Sequence, residues 1–266
     1  MKTLIISKKT VAILSRLFFF IFLACFSFSV KAAPTFHFSP SIDYVFYREL
    51  SETGETLNTE TGYLPGFELS INHYMSEQIS FYVQGYYGSS SIQYEGQLQS
   101  GLPYDTDSKM TKSSYRFGGN YLGIKKGIGF FLEHNEWDRH IQSRDNIPTL
   151  SEYYSWDSIG VNYFMSFGDR QFNIELARLW NAGLSVDLSE QGYGVIPVSM
   201  PNGVSAKVSA EQPLSDSYPR WKFGVQIEMD YFPRGETVYS QGIGLTEPEN
   251  ISLQFRLYLS RSLNIN

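Results

Sequence analysis

The feature that most constrains this chain of 266 residues is a two-residue alternation of apolar and polar side chains, starting at Phe36 and recurring almost to the C-terminus. Successive side chains of a strand point to opposite faces, so this period sorts residues into one apolar and one polar face. Phe36, Phe38, Ile42, Tyr44 and Phe46 interleave with His37, Ser39, Ser41 and Asp43. Trp221, Phe223, Val225, Ile227, Met229 and Tyr231 interleave with Lys222, Gly224, Gln226, Glu228 and Asp230. Segments beginning at Phe67, Ile79, Tyr115, Ile159, Phe172 and Ile251 read the same way, and residues 128–137 add a ninth. No stretch of helical period competes, so the chain predicts an all-β fold. A content of 42% hydrophobic and 16% aromatic residues excludes a disordered tail.

Alternation does not say which face lies inside; a soluble sandwich or lipocalin-like barrel would turn the apolar face inward. Three observations favour the opposite arrangement. Short turns at residues 75–78, 125–127, 168–170 and 233–236 alternate with long polar loops at 49–61, 96–112, 141–152 and 182–219. Transmembrane barrels have this asymmetry, with turns on the periplasmic side and loops outside. The segments run to about ten residues, the length of a tilted membrane-crossing strand. Finally, Trp137, Trp156, Trp180 and Trp221 border long loops, while other aromatic residues border short turns. Two such belts are expected of aromatic girdles at membrane interfaces.

The expected fold is a transmembrane antiparallel up-and-down β-barrel of about ten strands, with eight and twelve as alternatives. Nine segments are clear, and an even count makes the weaker segment at 237–245 the tenth. The 182–219 loop has room for another hairpin, around residues 195–200 and 204–208.

On these residues the chain resembles the outer-membrane β-barrel proteins of Gram-negative bacteria, over almost all of residues 35–260. The resemblance is one of pattern, and the length also fits solitary autotransporter-like barrels. It implies a surface-exposed monomer of the outer membrane, with outer-membrane lipid, lipopolysaccharide and the barrel-assembly machinery as partners. Such proteins usually finish on an aromatic residue, whereas here the last strand shows Phe255, Leu257 and Leu259 and the chain runs on to Asn266.

The N-terminus agrees. Lys2, Lys8, Lys9 and Arg16 precede an apolar run at residues 17–30 and the small-residue site Val30-Lys31-Ala32. The run is shorter than the roughly 20 residues of a membrane helix, so residues 1–32 are expected to be a cleaved signal peptide and 33–266 the barrel. Cleavage takes basic residues from 21 to 16 against 27 acidic, a balance that argues against nucleic acid. The single Cys25 leaves with the signal, so no disulfide supports the exported domain.

With apolar faces toward lipid, Asp43, Glu68, Arg116, Glu133, Glu175, Lys222, Glu228, Asp230 and Arg256 line the lumen. In a narrow barrel, charges of both signs are expected to pair and fill the interior. The leading functional expectation is a structural or surface-interaction role, ahead of a narrow porin-like channel. An outer-membrane hydrolase is the third. Its candidates come from the run EHNEWDRH at residues 133–140, where His134, Glu136, Asp138 and His140 share one face and Glu133, Asn135, Trp137 and Arg139 the other. The run resembles the rim residues of omptin proteases and outer-membrane lipid hydrolases in residue type and height alone. An enzyme would need His134 or His140 within hydrogen-bond reach of an acid or hydroxyl on a neighbouring strand. Glu49, Glu52, Glu55 and Glu60 suit a solvated loop, and their spacing matches no calcium loop. No cofactor and no metal site is indicated.

Overall fold

A computed structural model describes residues 34–97, 102–123, 125–144, 147–215, 217, 218, 220–240 and 242–264. The proposed signal peptide, with Cys25, lies outside the described residues. The strands are β1 (Thr35–Leu50), β2 (Thr56–Tyr74), β3 (Ile79–Gln97), β4 (Pro103–Leu122), β5 (Lys126–Ile141), β6 (Leu150–Phe167), β7 (Arg170–Leu188), β8 (Gly194–Ser199), β9 (Gly203–Pro213), β10 (Trp221–Phe232), β11 (Val238–Ser240), β12 (Ile243–Leu245) and β13 (Glu249–Asn264).

Ten of them close a barrel in the order β1-β2-β3-β4-β5-β6-β7-β9-β10-β13, with every neighbouring pair antiparallel. The ring shuts where β1 meets β13, from Thr35 opposite Asn264 to Leu50 opposite Glu249. The expected strand count is right, but one strand is misplaced. The tenth barrel strand is β9, inside the expected 182–219 loop, where it pairs β7 and β10. Residues 237–245 instead form the small β11-β12 hairpin. Residues 233–236 consequently leave the set of short turns and begin the connection that carries this hairpin.

The start of β1, the end of β13 and the tight turns share one end of the barrel. There Ser76 Oγ accepts hydrogen bonds from the backbone N–H groups of Gln78 and Ile79, and Gly168 supplies the positive φ (60°) of the β6-β7 turn. At the other end the strands run past the apolar belt, so the expected loops at 49–61 and 96–112 are mostly strand. Backbone pairing continues as long as both neighbours extend, whatever the polarity of the side chains.

Outward-facing residues from Phe38 to Tyr44, Tyr63 to Leu69, Ile128 to Leu132 and Ile159 to Tyr163 form an exposed apolar belt. Inward-facing glycines make room for rings on the paired strand. Gly118 lies beneath Tyr82, Gly160 beneath Phe131 and Gly224 beneath Tyr258, each directly opposite in register, and a Cβ at any of them would run into the ring.

Candidate functional site

Strand parity brings the nine expected lumen residues to the inner side of the wall, where seven of them form two connected groups, Lys222 pairs separately with Glu211 and Asp230 lines the space beside Glu228. Arg116 on β4 donates to Glu133 on β5 at 2.8 Å and to Glu175 on β7 at 2.7 Å. Lys207 on β9 lies 3.2 Å from Glu175 and 3.9 Å from Glu228. Arg256 on β13 grips Asp43 on β1 through Nε (2.8 Å) and Nη2 (3.1 Å), and Gln254 donates to the same carboxylate at 2.7 Å. Arg256 also reaches Glu68 at 3.5 Å, and Tyr86 donates to Asp43. Buried charges without partners would each cost several kcal/mol, which explains why these groups interlock across strands. Small pockets of about 10 and 50 Å³ lie among them, lined in part by Asp230 and Glu228.

Toward the tight turns the lumen widens into a polar vestibule of about 330 Å³. Its walls are mainly short hydroxyl and amide side chains such as Ser70, Asn72, Asn120 and Ser209, with Lys222 paired to Glu211.

The opposite half is packed like the core of a soluble protein. Val45, Leu64, Met110, Leu179, Leu184 and Phe232 are buried there together with Trp137, Tyr154 and Trp156. Arg139, fully buried, stands at its centre. It donates to Glu60 through Nε (2.9 Å), and through Nη1 to Glu49 (3.0 Å), Glu152 (2.7 Å) and the Tyr154 hydroxyl (2.8 Å). Its guanidinium carbon lies 4.4 Å from the Tyr47 ring centre and 5.3 Å from that of Trp137, a cation–π cage. Glu247, also buried, accepts from Asn250 at 2.8 Å. These rows lie beyond the apolar belt. There burial pushes the Glu152 carboxyl up to about 7 against the pull of Arg139, with Glu49 and Glu60 adding to the rise. Burial, reinforced by Glu49 and Glu152, raises Glu247 well above the usual carboxylate range.

Three girdle expectations are corrected, two of them by parity. Trp137 and Trp156 are 4% and 7% exposed and belong to the inner core, because they share the faces of Glu133 and Ser158. Trp180 is exposed beside Asp157, whereas Trp221 begins β10 at the tight-turn end, 5.3 Å from the Arg261 guanidinium. The exposed residues at the upper edge of the belt are instead tyrosines, Tyr44, Tyr63, Tyr87 and Tyr115, with the rings of Tyr44 and Tyr63 centred 5.4 Å apart.

Arg139 lies inside on the face it shares with Glu133; Glu152, Glu247 and Lys207 are interior groups outside the expected set, and Glu49 and Glu60, expected in a solvated loop, are buried. Their signal was parity: Glu60 sits an even number of residues from Glu68 on one strand, and Arg139 from Glu133 on another.

His134, Glu136, Asp138 and His140 lie on the outer face of β5, just above the belt. His134 Nδ1 is 2.8 Å from Asp157 Oδ1 on β6, and its Nε2 is 3.6 Å from Glu136 Oε1. Asn181 donates to the other Asp157 oxygen at 2.8 Å, and Tyr153 donates to Glu136 at 2.9 Å. His140 Nδ1 is 2.8 Å from Ser151 Oγ. The histidines thus have the acid and the hydroxyl that an enzyme would require, but in separate pairs.

No protein-family model and no curated protein matches this chain. Among solved structures, the outer membrane protease OmpT of Escherichia coli superposes with a TM-score of 0.53 and 11% identity, covering 89% of this chain and 98% of that one. The translocator domain of the autotransporter NalP of Neisseria meningitidis gives a TM-score of 0.50 and 9% identity, covering 94% and 95%. The fold is that of the outer-membrane β-barrels.

Proposed function

We propose that the mature protein is a monomeric outer-membrane barrel, exported by the signal at residues 1–32, with a closed lumen and a structural or surface-interaction role. The observation behind this reading is the cluster around Arg139, which fills the extracellular half of the barrel with buried rings and aliphatic side chains. A pore needs a continuous polar path, and here the polar vestibule ends on interlocked charges beneath an apolar plug. Lipid and lipopolysaccharide would then meet the outer wall, and partners would meet the strand extensions above it. Refolded protein with heat-modifiable gel mobility should stay silent in a planar bilayer; stable conductance steps from folded protein would replace this reading with a porin-like one. A second reading, an outer-membrane hydrolase, is favoured by the His134–Asp157 pair.

A further inference from the structure

The outer wall carries two adjoining features that a closed, structural barrel leaves unused. The first is the pair of His134 and Asp157. Both oxygens of Asp157 are engaged, one with the imidazole Nδ1 and one with the amide of Asn181, each at 2.8 Å. Asn181 has a φ of 52°, the one positive value outside glycine among the described residues, and it lies where the β6-β7 register shifts. A bulge of this kind re-aims side chains, and here it turns an amide toward the carboxylate beside the histidine. A carboxylate held on Nδ1 fixes the tautomer and leaves Nε2 as the proton acceptor, the arrangement of a general base. The imidazole is half exposed, at 45%, so Nε2 is accessible from outside, with Glu136 flanking that side.

The second feature lies directly below. Phe130, Leu132, Ile159, Val161 and Leu176 border a shallow apolar groove on the barrel exterior. Leu132 and Ile159 pair with each other one row beneath His134 and Asp157. Exposed Arg178 pairs with Ile159 on the other side. The wall therefore passes from an acyl-chain surface to a cation and then to a histidine–carboxylate pair within two strand rows. An acylated membrane lipid makes the same transition, from hydrocarbon through its carboxylic ester to a polar headgroup.

We propose that this row is a hydrolytic site for a carboxylic ester of an outer-leaflet lipid, a deepening of the hydrolase reading that rests on the belt being embedded in the membrane. The acyl chain lies in the groove, which sets the ester at the height of His134. Nε2 takes a proton from water as the water oxygen bonds to the ester carbonyl carbon, and the charge developing on the carbonyl oxygen faces Arg178. The acyl carbon–oxygen bond then breaks, and the proton on Nε2 passes to the leaving alkoxide. The products are a fatty acid and an alcohol, with water as the only co-reactant.

The test uses the mature chain refolded into vesicles of phosphatidylethanolamine and lipopolysaccharide, with released fatty acid measured by mass spectrometry. Wild type should release fatty acid, and His134→Ala should lower the rate at least about 100-fold with heat-modifiable mobility unchanged. Asp157→Asn should depress kcat and alter the pH profile, because an amide no longer favours the same tautomer. Val161→Trp, which fills the groove, should lower kcat/KM. Folded wild type that releases no fatty acid from either lipid overturns the site while leaving the barrel reading intact, as does a His134→Ala variant with full activity. Protein that shows no heat-modifiable form would count against the barrel itself.

Discussion

The two halves of the lumen solve the same problem in opposite ways. Near the tight turns, short hydroxyl and amide side chains leave a vestibule of about 330 Å³, and the charges that face it are matched by others of opposite sign. In the far half the space is filled, and one fully buried guanidinium is set among the carboxylates of Glu49, Glu60 and Glu152 with Glu247 nearby. A narrow barrel does not need one kind of interior along its whole length. The vestibule half can tolerate change, while the packed half depends on Arg139, which neutralises more than one acid.

This contrast breaks first at Arg139. Arg139→Leu keeps the apolar stem and strands the surrounding acids, and removing one partner of a buried ion pair typically costs about 3–5 kcal/mol. Its urea midpoint should fall steeply; a midpoint within experimental error of wild type would show that the plug does not depend on its cation. The next effect is one of pH. Glu152 and Glu247 bind protons more tightly in the folded protein, so the stability they lend is fully present below about pH 4.5 and is lost as pH rises through about 7 for Glu152. Between pH 6 and 8 the packed half should lose about 1 kcal/mol from Glu152 alone. The emission of Trp137, whose ring is centred 4.7 Å from that of Tyr47, would report the loosening. Glu152→Gln should flatten that response, and an unchanged slope would assign it to other groups. The smallest effect belongs to the vestibule, where Ser70→Ala and Ser209→Ala should each shift stability by no more than about 0.5 kcal/mol. A larger loss at either would mean that the vestibule is packed as tightly as the plug.

Much of this architecture was legible in the sequence, because strand parity is a local property. The nine lumen charges and the outward face of His134 follow from counting residues by twos. The tenth strand was obscured because β9 presents Val204, Ala206, Val208 and Ala210 outward, a weaker apolar signal than Tyr239, Ile243 and Leu245 of the small hairpin. Trp137 and Trp156 stand beside long loops, but their parity with Glu133 and Ser158 sends them inward. The partners of Arg139 could not be named at all. They come from β1, β2 and β6, up to 90 residues away along the chain, and only closure of the ring brings them together.

That closure has a consequence in time. Strands β1 and β13 pair across almost the whole length of the barrel chain, and Asp43 is held by Arg256 and Gln254 across that seam. Contacts so distant in sequence form slowly, because the chain entropy of the intervening segment must be given up first. Until the last strand arrives, β1 presents an unpaired backbone edge, and unpaired edges invite association with other chains. The first strand of the barrel is thus completed by the last, so loss of β13 would leave β1 and β10 as open edges.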